Sequence, residues 1–90
     1  MSAGLCASFG LAVKRLREAR GWSQERLAEM ADLNRSYVGE IERGSVVPSL
    51  VTLHKLSDAL GLSASALLAD SEGIRQRSDA RQQRLMAIAC

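Results

Sequence analysis

Ninety residues bury one modest core, so the chain reads as a single compact domain with no room for an appended catalytic or ligand-sensing domain. One Trp, one Tyr, one Phe and one Pro, against plentiful Leu and Ala, favour a leucine-packed all-α fold over a sandwich or barrel. The net charge of +2 is spread unevenly, with +3 on residues 1–22, −2 on 23–44, −1 on 45–70 and +2 on 71–90, which excludes a uniformly basic surface for a polyanion.

Residues 1–7 read as an N-terminal arm. The first helix is expected from near Ser8, its candidate cap, to Arg20, with Phe9, Ala12, Val13, Leu16 and Ala19 at core spacing and Gly21 as its stop. Trp22 follows between two helices, where its large ring closes over the core.

Ser23 and Asn34 are both good N-cap residues, because each side-chain oxygen accepts from a backbone N–H left unpaired in a first helical turn. After the first, Leu27, Ala28 and Ala31 form a narrow apolar stripe. After the second, Tyr37, Val38 and Ile41 form another. Opposite that second stripe lie Arg35, Ser36, Gly39, Glu40 and Arg43. Gly39 costs the helix roughly 1 kcal/mol relative to alanine, and either the close approach of another backbone or of DNA, or ordinary sequence drift, accounts for it equally well. Two short capped helices joined by a tight connection are a means of placing one helix in the DNA major groove.

Gly44 ends the third helix, and Ser45-Val46-Val47-Pro48 forms a loop before Ser49 caps a fourth helix carrying Leu50, Leu53, Leu56 and Leu60. Gly61 stops that helix. Ser63 then caps a short fifth through Leu67 and Leu68, and Asp70-Ser71-Glu72-Gly73 reads as a boundary. The tail, 71–90, is rich in Arg and Gln, with Ile74, Leu85, Met86 and Ile88 as its apolar residues. It reads as either a mobile arm or an extra C-terminal helix at a dimer contact.

Cys6 and Cys90 stand near opposite ends without C-x-x-C spacing, and His54 is the single histidine, so neither a disulfide framework nor a metal site is supported. No apolar run approaches the roughly 20 residues that span a bilayer, and no secretory signal is visible. A cytoplasmic protein with reduced thiols and no membrane partner is expected. There is no phosphate-cradling glycine loop, and no histidine is paired with a nucleophile or metal, which points away from an enzyme and from any cofactor.

Ser23-Gln24-Glu25 followed by Leu27-Ala28, then Arg35-Ser36-Tyr37-Val38-x-x-Ile41-Glu42-Arg43-Gly44 and Pro48, closely resembles the Cro/cI-type, phage-repressor-like helix-turn-helix family over residues 8–70. The Arg-Ser-Tyr-Val run is also similar to the small controller proteins of bacterial restriction–modification systems. Other stand-alone regulators share it. The resemblance implies a compact five-helix DNA-binding domain whose recognition helix, about 34–43, enters the major groove while the preceding helix lies across the backbone.

By that resemblance Arg35 reads a base, its guanidinium donating twice to guanine O6 and N7, a pairing worth about 1–3 kcal/mol of discrimination. Ser36 meets a base or a phosphate, and Glu40 either accepts from cytosine N4 or excludes wrong registers. Gly39 lies on the same base-facing side. Ser23, Gln24 and Asn34 at helix starts, with Arg43 and Ser45 at the end of the recognition helix, are the phosphate-contacting set, which positions without specifying. Arg17 and Glu42 occupy the places where the family commonly has an internal ion pair that orients the recognition helix.

The function implied is a transcriptional regulator, a repressor among the options, that binds a palindromic operator as a homodimer and acts by blocking or recruiting RNA polymerase. Half-sites about 34–36 Å apart place the dimer contact in the last two helices or the tail, with Leu62, Leu67 and Leu68 as candidates. The alternative is an antitoxin-like or accessory helix-turn-helix module whose main partner is a protein. The acidic balance of 23–44 and the apolar residues of the tail favour it.

Overall fold

Four serine or asparagine side chains turn the chain into its helices. Ser23 Oγ accepts from Arg26 N–H at 3.0 Å, Asn34 Oδ1 from Ser36 N–H at 2.8 Å, Ser49 Oγ from Thr52 N–H at 3.1 Å and Ser63 Oγ from Ala66 N–H at 3.1 Å. The computed structural model describes the backbone of residues 2–89 and the side chains of residues 4–77. It is all-helical: α1 (Ser2–Ala19), α2 (Gln24–Ala31), α3 (Arg35–Glu42), α4 (Leu50–Leu60) and α5 (Ala64–Ala89). Because a cap satisfies one of the orphan donors at a helix start, Ser49→Ala is expected to lower stability by about 1 kcal/mol, measured as the shift of a urea unfolding midpoint.

One core joins all five helices. Phe9, Ala12 and Val13 of α1 meet Leu27, Ala28 and Ala31 of α2, Val38 and Ile41 of α3, Leu53, Leu56 and Leu60 of α4, and Leu67 of α5. Leu16, Trp22 and Tyr37 pack against its edge, and the Tyr37 hydroxyl lies 3.3 Å from Thr52 Oγ1, so this ring ties α3 to α4. Two residues expected in the core lie outside it. Ala19 is exposed at the end of α1, and Leu50, the first residue of α4, is 83 % exposed because the helix begins beyond the core's edge.

Two boundaries differ from the sequence reading, and both differences have one cause. α1 starts at Ser2, so Ser8 is a buried mid-helix residue rather than a cap, and residues 2–7 are helical rather than an arm. α5 continues through 70–73 to Ala89, so the expected boundary is helix interior and no separate sixth helix follows. Ser71, a turn former by composition, is buried and donates to the Leu67 carbonyl one turn back at 2.9 Å. The two extensions lie against each other: Leu5 of α1 shares a surface hollow with Glu72, Arg75 and Gln76 of α5, and Ile74 packs on the core. Each helix is prolonged because its neighbour gives it something to pack on. The apolar tail residues Leu85, Met86 and Ile88 lie outside the described side chains.

Candidate nucleic-acid interface

The turn between α2 and α3 is three residues long, Asp32-Leu33-Asn34. Asp32 takes a left-handed conformation (φ 54°), and its N–H closes α2 on the Ala28 and Glu29 carbonyls. Lys55 from α4 braces this turn, its Nζ donating to the Asp32 carbonyl at 3.2 Å and standing 3.7 Å from the carboxylate. α3 is thereby launched across α2 with Arg35 and Ser36 of its first turn exposed, while Tyr37 and Val38 of the same turn face the core.

The outward side of this pair is an open hollow of about 450 Å³ lined by Gln24, Arg35, Ser36, Gly39, Glu40 and Arg43. Arg35, Ser36 and Arg43 are exposed, and among the described residues neither Arg35 nor Arg43 forms an ion pair. Their guanidinium groups therefore face solvent with donors to spare. Ser45 is partly committed, its backbone N–H and its hydroxyl donating to the Glu40 carbonyl at 3.0 and 3.1 Å. Ser23 and Asn34 spend their side-chain oxygens on capping.

Gly39 is buried as the floor of the hollow. A Cβ placed there would stand 3.2 Å from Arg43 Nη1 and 3.6 Å from Gln24 Oε1, so the space that the glycine leaves is filled by two of the chain's own side chains. Gly39 thus lines the hollow from beneath these two side chains. Arg43 and Gln24 cover it.

The acidic balance of 23–44 is disposed of by the fold. Glu25, Glu29 and Asp32 do not line the hollow; Glu29 lies 3.6 Å from Arg26, and Asp32 pairs with Lys55. Glu42 is turned inward, with its side chain 3 % exposed, where Arg17 Nε donates to Oε2 at 2.7 Å and Nη2 to Oε1 at 3.1 Å. Gln24 Nε2 also donates to Glu42 Oε1, at 3.0 Å, and Arg17 Nη1 donates to the Trp22 carbonyl at 2.6 Å. The hydrogen bond to Glu42 raises the Arg17 pKa above its usual value against the opposing effect of burial. Within its own lining the hollow carries two arginines against one glutamate.

Of the dimer candidates, Leu67 is fully buried within its own chain, which removes it from any interface. Leu62 is half-buried against the core and Leu68 is 39 % exposed. The sequence reading missed a larger apolar face, a hollow that Leu68 shares with Leu5, Val47 and Leu50, all of them exposed. Its signal was the dipeptide Val46-Val47 in a loop. Arg20 also went unassigned; it lies over the Trp22 ring at 5.9 Å and donates to the Leu60 carbonyl, joining the ends of α1 and α4. Among the described residues no cluster of His, Cys, Asp or Glu is suited to a metal ion, and no helix is long and apolar enough to cross a membrane.

Two short capped helices at a fixed turn, with an open polar face on the second, define a helix-turn-helix domain. The chain belongs to this family, in its Cro/cI-type form: the helix-turn-helix model matches residues 13–67. It is 40 % identical over 69 residues to the immunity repressor protein of Bacillus phage phi105, covering 77 % of this chain and 48 % of that one. The restriction–modification controller protein C.AhdI from Aeromonas hydrophila superposes with a TM-score of 0.67 at 45 % identity, over 69 % of this chain and 94 % of that one. The controller protein C.Esp1396I, solved as a tetramer with its natural 35 base-pair operator, matches with a TM-score of 0.73 at 25 % identity, over 80 % of this chain and 95 % of that one. The chain spans about half the length of the first curated relatives it matches. Those curated relatives are a phage immunity repressor and two HTH-type transcriptional regulators, of Bacillus subtilis and of Escherichia coli.

Proposed function

We propose that this chain is a sequence-specific transcriptional regulator that binds a two-fold symmetric operator as a homodimer, with α3 in the major groove and α2 across the phosphate backbone. The carrying observation is the hollow of Gln24, Arg35, Ser36, Glu40 and Arg43, which presents two free guanidinium groups while the neighbouring acidic side chains face elsewhere or are paired. Arg35 reads guanine, and Ser36 and Glu40 contact neighbouring bases. Arg43, Ser45 and Asn34, with the α2 start at Ser23 and Gln24, hold phosphates. Gly39 lets Arg43 and Gln24 lie low enough for the groove wall to approach. The protein acts in the cytoplasm by excluding or recruiting RNA polymerase.

Selection of bound sites from a random duplex library by the purified protein tests this reading. A palindromic consensus is expected, with affinity that falls steeply with added salt, by a slope of about −0.9 per phosphate neutralised. Failure to enrich any sequence overturns it.

Self-association is assigned to the face made by Leu68 with Leu5, Val47 and Leu50, since these are large apolar side chains left in water. Sedimentation at micromolar concentration is expected to give a dimer for the wild type and a monomer for Leu50→Asp. A monomeric wild type would refute the homodimer. The same face supports the second reading, an antitoxin-like or accessory module with a protein partner, for which no duplex would be bound with salt-sensitive affinity.

A further inference from the structure

We infer that Gly10 is a positioning residue for DNA reading: it seats the C-terminal end of α3 directly on the backbone of α1. This rests on the proposed reading of DNA by α3.

Gly10 is buried in the middle of α1, where alanine would favour the helix, and it takes no left-handed conformation that would call for glycine. What it supplies is closeness. A Cβ at Gly10 would collide with the Ile41 carbonyl oxygen and stand 2.7 Å from the Glu42 carbonyl oxygen and 2.9 Å from the carbonyl carbon. All three atoms are backbone, so no side-chain rotation relieves the clash and one helix must move. One turn earlier the same approach recurs from the other partner, since a Cβ at Gly44 would lie 2.8 Å from Ala7 Cα. Gly4, on the same helix, would meet nothing within 4 Å.

Arg17 lies seven residues after Gly10, on the same face of α1, and grips the Glu42 carboxylate. α1 therefore holds residues 41–44 at three points: Ala7 on Gly44, Gly10 on the last carbonyls of α3, and Arg17 on the side chain of Glu42. Arg43 lies within this stretch, and Glu40 and Ser45 adjoin its two ends. The N-terminal end of α3, with Arg35, is held separately by the Asn34 cap and the turn from α2. A displacement at Gly10 tilts one end of the reading helix against the other. Base reading requires placement to within about 0.5 Å, whereas a flexible side chain follows a phosphate over a larger range. Ala7 and Gly10 also fall outside residues 13–67, the part matched by the family model.

The test compares Gly10→Ala with Gly4→Ala on the selected operator and on a scrambled duplex. Gly10→Ala is expected to keep its helical circular dichroism and to lose operator affinity by about ten-fold or more, the loss of one good base contact. Affinity for the scrambled duplex should change by less than about three-fold, because Ser23, Gln24 and Asn34 keep their phosphates and the long Arg43 side chain follows its own. Reselected sites should relax at the bases read from the Glu40 end and keep the guanine assigned to Arg35, while Gly4→Ala behaves as wild type. Operator affinity within about two-fold of wild type, or equal losses on both duplexes, overturns the inference. If Gly10→Ala does not fold, the Gly10 α-proton resonances of the wild type carry the test. They should shift on titration with operator and not with scrambled duplex, and no difference between the two overturns the inference. A wild type without any operator preference would instead refute the DNA-reading proposal, an outcome separate from these.

Discussion

Glu42→Ala is expected to lower the unfolding free energy by about 3–5 kcal/mol, read by urea denaturation, because it leaves a buried guanidinium without its counter-charge. Arg17 has its side chain only 11 % exposed and would keep the Trp22 carbonyl as its one buried partner, with the exposed Glu18 carboxylate at 4.0 Å too solvated to replace Glu42. Gln24 would lose its acceptor as well, so both α1 and α2 would release the end of α3. The double replacement Arg17→Met with Glu42→Leu is expected to recover most of the loss, since it removes both charges together and fills the space with apolar atoms. A loss below about 1 kcal/mol for Glu42→Ala, the range of exposed pairs, would show that the pair is solvated in solution.

The raised pKa of Arg17 sets the sign of the pH dependence. Its share of stability is fully present below the unfolded-chain value and is lost only as pH rises through the still higher folded one. Alkaline titration across the ordinary working range should therefore not release the pair.

Arg35→Ala is expected to weaken operator binding by about 1–3 kcal/mol, roughly ten- to a hundred-fold, and to erase the preference for guanine at one position of each half-site. Because Arg35 is exposed and unpaired, the fold should lose less than about 0.5 kcal/mol. Equal weakening on operator and scrambled duplex would reassign Arg35 to phosphate. This variant separates reading from folding, whereas Glu42→Ala disturbs both.

Much of the candidate site was legible because it is local. A cap, a first-turn residue and a helix periodicity depend on neighbours within four or five positions, so Ser23, Asn34 and the polar face from Arg35 to Arg43 could be placed from the chain alone. The spaced motif from Ser23 to Pro48 then carried the family. Local reasoning was blind to what covers Gly39 and to where each acidic side chain turns, since Gln24 and Arg43 both lie over Gly39 of α3, and Lys55 reaches Asp32 from a helix 23 residues away.

By itself the sequence determined the helix starts at Ser23, Asn34, Ser49 and Ser63, the apolar stripes that bury α2, α3 and α4, and the helix-turn-helix character of residues 23–44. Tertiary structure alone decided the lengths of α1 and α5, the burial of Leu67 and the exposure of Leu50, and the backbone contact at Gly10. The reason is physical. Residues 2–7 and 70–77 have too little local preference to commit to a helix, and they gain it only by lying along each other. A glycine, likewise, carries no mark in the sequence of the backbone that will come to rest against it.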